Sequence, residues 1–221
     1  MRSGLLAIPL DEAFAQAVED DTCPLCVMLK TLELRVAEYV TGPAMMEPDF
    51  RTETNSKGFC NKHLKQLLEQ NNRLGVALIL SSYLSINKPF YPHTKRTGEL
   101  NNTCFSCEQI DKGFVALTKQ ILVEYKDTPT FAPLVKRQKY YCLPHYNALI
   151  SEYNKLPKKI QKAIPDFPSV IGTVAENTRA KLETDIKTFC KSFDYRNIGK
   201  ALSEQEKISI ENTMYFLTGE K

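Results

Sequence analysis

At 221 residues and 43% apolar composition, the chain can bury one large core or two small ones without help from disulfides. The net charge of +3 is too small by itself to imply nucleic acid, and the longest apolar run, Val76 to Leu80, is far too short to span a bilayer. Residues Met1 to Leu10 lack the long apolar stretch and cleavage site of a secretory signal, so a soluble cytoplasmic protein with no membrane partner is expected.

Apolar residues recurring at three and four predict a helix after Cys23-Pro24-Leu25-Cys26, carried by Leu25, Leu29, Leu32, Val36 and Tyr39 or Val40. Pro43, Pro48 and Gly58 make the following stretch irregular. Within it Asp49, Arg51, Glu53 and Asn55 alternate with other residues, and in an extended segment these four would point to one side. Two readings fit them. Arg51 can pair with Asp49 or Glu53 to fix the loop, or Arg51 and Arg73 can hold an anionic group in a polar site. Cys60-Asn61-Lys62-His63 then opens a helical pattern through Leu64, Leu67 and Leu68 to Leu84. Pro89 and Pro92 mark a connector, in which His93 reads as an ordinary loop residue.

The pattern then recurs. Cys104-Phe105-Ser106-Cys107 precedes a helical face of Ile110, Phe114, Leu117, Ile121 and Tyr125, and Pro129 and Pro133 interrupt the chain. Cys142-Leu143-Pro144-His145 opens the next helix, with Leu149, Ile150 and Tyr153. A long helical pattern covers Val170 to Phe193, with a face of Leu182, Ile186, Phe189 and Phe193. Cys190, one turn after Ile186, reads as a small buried apolar residue. A final helix is expected to start at Ser203, whose spacing to Glu206 is that of a capping box. Strand signals are sparse. The predicted class is all-α, made of duplicated helical units each with a Cys₃His metal knuckle, plus C-terminal helices. The expected divisions are residues 1–90, 91–160 and 161–221.

The cysteines carry the chemistry. C-x₂-C is followed by C-x₂-H after 33 residues in the first copy and after 34 in the second. Corresponding pairs are offset by 81 and 82 residues, which is a duplication signal. Two thiolates from each C-x₂-C and a thiolate and imidazole from each C-x₂-H supply a closed tetrahedral zinc site. Sequential pairing gives Cys23, Cys26, Cys60 and His63 in one site and Cys104, Cys107, Cys142 and His145 in the other. Cross-bracing would give one Cys₄ and one Cys₂His₂ site. Duplication and shorter loops favour the sequential arrangement. Two Zn²⁺ are expected in structural roles, since full quartets leave no open position; iron–sulfur clusters are the alternative.

The paired CPxC and GFCxxH motifs, the stretch Glu47 to Asn55 and the segment Asn72-Arg73-Leu74-Gly75-Val76-Ala77-Leu78 together resemble a bacterial family of unknown function. The resemblance covers most of residues 20–150 and implies paired metal motifs in a bacterial cytoplasm, with no reaction assigned. The second copy departs from it, with Tyr140-Tyr141-Cys142 in place of Gly58-Phe59-Cys60.

Charge is uneven: residues 1–63 carry 6 basic and 10 acidic side chains, and residues 112–162 carry 10 basic and 3 acidic. The basic, tyrosine-bearing stretch 136–162 can face phosphates or simply be a solvated surface. The leading expectation is a zinc-stabilised binding protein with a protein partner, nucleic acid being the other partner class. The alternatives are an iron–sulfur redox or sensor protein and an enzyme using the site around Arg51, for which no recognised catalytic motif is present.

Overall fold

The structure, a computed structural model, describes residues 8–87, 103–197 and 201–220. It is all-α, with no strand among the described residues. In chain order the helices are α1 (Leu10–Glu19), α2 (Pro24–Thr41), α3 (Pro48–Lys57), α4 (Asn61–Glu69), α5 (Arg73–Ile86), α6 (Phe105–Asp127), α7 (Phe131–Lys136), α8 (Leu143–Lys155), α9 (Lys158–Ala163), α10 (Phe167–Ser192), α11 (Glu204–Lys207) and α12 (Ser209–Thr218). Short 3₁₀ turns occupy Pro43–Met46 and Tyr195–Asn197. Pro89, Pro92 and His93 lie outside the described residues.

Local chemistry sets the helix ends. Asn72 caps α5 by accepting the Gly75 N–H at 2.9 Å, while its amide donates to the Thr41 carbonyl at 2.6 Å and so ties the end of α2 to the start of α5. A Cβ on Gly75 would meet the Met45 sulfur at 2.8 Å and the Asn72 amide at 2.9 Å. The Asn72-to-Gly75 segment is therefore a cap with a close approach behind it. The capping box expected at Ser203 and Glu206 is present, but α11 stops at Lys207 and α12 begins as a separate helix.

The chain divides into two compact units. The first comprises Met1–Ile8 and Leu29–Leu117, the second Pro9–Met28 and Thr118–Lys221. The divisions fall inside α2 and α6. In the first unit the predicted face of α2 is buried at Leu32, Val36 and Val40, and Phe105 packs edge-on against Phe50 at 5.3 Å and Phe59 at 6.1 Å. In the second, Phe14 and Phe131 meet at 5.0 Å, Phe167 packs on Tyr125 at 4.9 Å, and Tyr141, Leu149 and Ile171 are fully buried. The tail of α10 does not follow the expected burial: Phe193 is 78% exposed and Cys190 is exposed, because the apolar spacing continues beyond Leu182, the last residue of α10 that is buried.

Candidate metal centres

All eight candidate ligands fall into two Cys₃His groups, each with its four ligand atoms within 4.8 Å of one another. The grouping corrects the sequential pairing and differs equally from the Cys₄ and Cys₂His₂ alternative. Cys60 and His63 join Cys104 and Cys107 in the first unit, and Cys23 and Cys26 join Cys142 and His145 in the second. Each centre thus takes its C-x₂-C from one sequence copy and its C-x₂-H from the other. The reason is helix length. With a rise of about 1.5 Å per residue, the 18-residue α2 carries the chain about 22 Å away from Cys26, and the 23-residue α6 carries it about 30 Å away from Cys107. The shorter α3 and α7, about 15 Å and about 9 Å long, recover only part of that distance as helix.

One local design serves all four ligand pairs. Cys23, Cys60, Cys104 and Cys142 each stand immediately before a helix, and Cys26, His63, Cys107 and His145 are the third residue of that helix. The residue before a helix and its third residue are the positions that meet in a capping box, so the spacing x₂ directs both side chains to one point. The Cys107 N–H, for example, donates to the Cys104 sulfur at 3.5 Å. The start of a helix also favours negative charge, which suits a thiolate.

The internal distances match a single ion. Both imidazoles present Nδ1, at 3.1 to 3.5 Å from the sulfurs of their groups. Cys26 and Cys142 sulfurs are 3.8 Å apart, and those of Cys60 and Cys107 are 3.9 Å apart. A tetrahedral zinc with bonds of about 2.3 Å to sulfur and about 2.0 Å to nitrogen places two sulfurs about 3.8 Å apart and a sulfur and nitrogen about 3.5 Å apart.

The thiols perturb one another strongly. Burial pushes the Cys23 thiol well up, while hydrogen bonds from Cys142 and Cys23 hold Cys26 far down. Cys107 is pushed up to about 12 by burial and by its contacts with Cys104 and Cys60. Cys60, although burial opposes it, is lowered by the backbone N–H of His63 and by Cys104 and Cys107.

The second unit's centre has a cover that the spacing of ligands does not announce. Gly219, in the left-handed conformation at the end of α12, lies where an added Cβ would be 3.2 Å from the Cys142 sulfur, 3.7 Å from His145 and 3.9 Å from the Cys26 sulfur. The Tyr215 hydroxyl is 2.6 Å from the Thr22 hydroxyl and accepts from the Cys23 N–H at 3.5 Å. A glycine after a helical run was the only sequence signal of this closure. In the first unit Gly58 turns the chain between α3 and Cys60, and its carbonyl accepts the Phe105 N–H at 2.9 Å.

The polar residues around Arg51 are placed otherwise than an extended strand would place them. Pro48–Lys57 is helical, so Asp49 and Glu53 share one side of α3 while Arg51 and Asn55 share another. Arg51 donates to the Leu78 carbonyl at 3.0 Å and Glu53 pairs with Lys57 at 2.8 Å, in place of the expected pair between Arg51 and a neighbouring acid. Asn55 is buried, accepting from the Ser82 hydroxyl at 2.8 Å, and Arg73 is exposed at the start of α5. Asp49 is exposed. These contacts bind α3 to α5 and do not gather the five residues into one pocket.

No curated protein and no solved structure matches the chain. The sequence model of one family matches it over residues 1–89 and 85–221. With the whole length matched in these two parts, the chain belongs to DUF6062, a family of unknown function.

Proposed function

We propose that this is a helical binding protein whose two units are each held by one structural Zn²⁺, bound by Cys60, His63, Cys104 and Cys107 in one and by Cys23, Cys26, Cys142 and His145 in the other. The observation that carries the reading is the closeness of each quartet, four ligand atoms within 4.8 Å, with sulfur and nitrogen spacings of a single tetrahedral ion. An iron–sulfur cluster spreads its ligands over more than one iron, so this spacing favours a lone ion. The borderline mixture of thiolate and imidazole favours zinc among such ions. Three thiolates against one dication leave each centre with one net negative charge, which two helix N-termini offset. With four protein ligands no position is open for water or substrate, so the metal stabilises the fold instead of performing hydrolysis.

A protein is the partner that the surface supports best. From Leu74 to Ile86, α5 carries no charged side chain, yet Leu74 is 69% exposed, Leu84 54% and Ile86 56%. The basic stretch speaks less for nucleic acid, since Lys136 pairs with Asp166, Lys139 with Asp21 and Lys155 with Glu152. No helix among the described residues is long and apolar enough to cross a membrane. The test is elemental analysis with a visible spectrum on protein purified without oxygen, followed by chelation. Two colourless zinc ions per chain and loss of helicity on chelation are expected. A metal-free chain with unchanged circular dichroism and melting overturns the reading, and a brown, iron-containing chain replaces zinc by a cluster.

A further inference from the structure

The geometry points to Gly219 and Tyr215 as positioning residues that close the metal centre of the second unit, making it the slowly exchanging site and leaving the centre of the first unit as the exchangeable one. The inference rests on the reading of both quartets as metal sites. Three sets of contacts carry it. The backbone of Gly219 lies against three of the four ligands, close enough that a Cβ would be 3.2 Å from the Cys142 sulfur, and its carbonyl is 3.5 Å from the Cys26 sulfur. The Tyr215 hydroxyl reaches the Thr22 side chain and the Cys23 N–H, the two residues that begin the knuckle. The ring of Tyr215 stacks on Tyr140, two residues before Cys142, at 5.3 Å and 6°. One short segment of α12 therefore touches both ligand pairs of the centre.

Burial of the ligands differs between the centres in the sense this closure requires. In the second unit Cys23 and Cys142 are 0% exposed, His145 is 7% exposed and Cys26 is half-buried. In the first unit no ligand is fully covered: His63 is 5% and Cys104 8% exposed, and Cys60 and Cys107 are half-buried. A chelator takes a structural ion by entering its coordination sphere, so a sphere whose sulfurs face solvent yields first. Contacts beyond the ligands themselves commonly change metal affinity by about 10- to 100-fold.

The experiment loads the full chain with zinc, adds excess 4-(2-pyridylazo)resorcinol and follows release optically. Two phases of one equivalent each are expected, with Cys60→Ser abolishing the fast one. Gly219→Val, which forces a β-branched residue into φ +74° and its Cβ into the Cys142 sulfur, should speed the slow phase by at least about tenfold and leave the fast phase alone. If Gly219→Val does not reach native helicity, Tyr215→Phe decides, because it keeps the ring stack and removes only the hydroxyl; a slow phase several-fold faster is expected. Release of both equivalents in one phase, or a slow phase unmoved in the folded variants, overturns the inference while leaving the zinc reading intact. Fewer than two equivalents bound at the outset counts against the zinc reading itself.

Discussion

The exchanged pairing can be tested by counting zinc in paired substitutions. Cys26 and Cys142 are 116 residues apart in sequence, yet their sulfurs are 3.8 Å apart and belong to one quartet. Cys26 and Cys60 belong to the same sequence copy but to different quartets. Each single serine variant should lose one zinc. Cys26→Ser with Cys142→Ser should lose no more than either alone, because both remove ligands of the same ion; Cys26→Ser with Cys60→Ser should lose both ions. Sequential pairing reverses these two results. The stability effect should be large, because structural zinc contributes roughly 10–16 kcal/mol in small peptides, comparable to or above the roughly 5–15 kcal/mol that holds a whole domain together. A unit deprived of its ion is therefore expected to melt at a lower temperature than the other, giving two transitions instead of one. Zinc content by elemental analysis and calorimetry on the same samples give both readouts. One zinc retained by the Cys26/Cys60 double variant would refute the exchanged pairing.

Gly58 has φ 65° and ψ −161°, a region only glycine enters readily, and a Cβ there would be 2.9 Å from the Tyr83 ring. Gly58→Ala should cost about 1–3 kcal/mol from the backbone alone, seen as a lower denaturation midpoint of the zinc-loaded protein. Ser203→Ala removes the capping box of α11 and should cost about 1 kcal/mol locally, read as faster amide exchange in Glu204–Lys207 with the zinc content unchanged. Asp166 is held below the ordinary carboxylate range by Lys136 and by the Tyr125 hydroxyl. Its folded value is the depressed one, so the stabilisation is present above the unfolded value, about 3.9, and is lost as pH falls through the folded value. With the carboxylate about half exposed, the effect should stay below about 1 kcal/mol, and an NMR titration of its side chain should show the lowered midpoint.

The ligands were legible in the sequence because their spacing reports local helix starts, and each C-x₂-C or C-x₂-H does occupy such a start. Their pairing was not legible from loop length. Closing the 116-residue separation between Cys26 and Cys142 instead of a loop of 34 residues costs only about 1 kcal/mol more, far too little to choose between pairings. Helix rise favours the exchange, since α2 and α6 each separate the two ligand pairs of one copy. The stretch around Arg51 failed differently. Its alternation of polar residues imitated a strand, whereas Pro48 at a first helical turn and Gly58 at a helix end mark the boundaries of α3. Cys190 and Phe193 kept the helical spacing of a buried face past the point where burial ends, and spacing alone carries no information about where a helix loses its partner.

The ligand exchange also changes what the duplication means. One sequence copy carries a C-x₂-C before a long helix and a C-x₂-H beyond it, so it offers half of each of two centres and completes neither. In this pairing each copy's ligands are completed by those of the other copy, which the duplicated chain supplies internally. The chain order then nests the results: residues 29–117 carry the first centre whole, while the second joins ligands from before and after that segment. The first centre therefore has all its ligands once Cys107 is present, and the second must wait for His145. The closure beneath Gly219 comes later still in the chain, and it falls on the centre whose ligands are drawn from farthest apart.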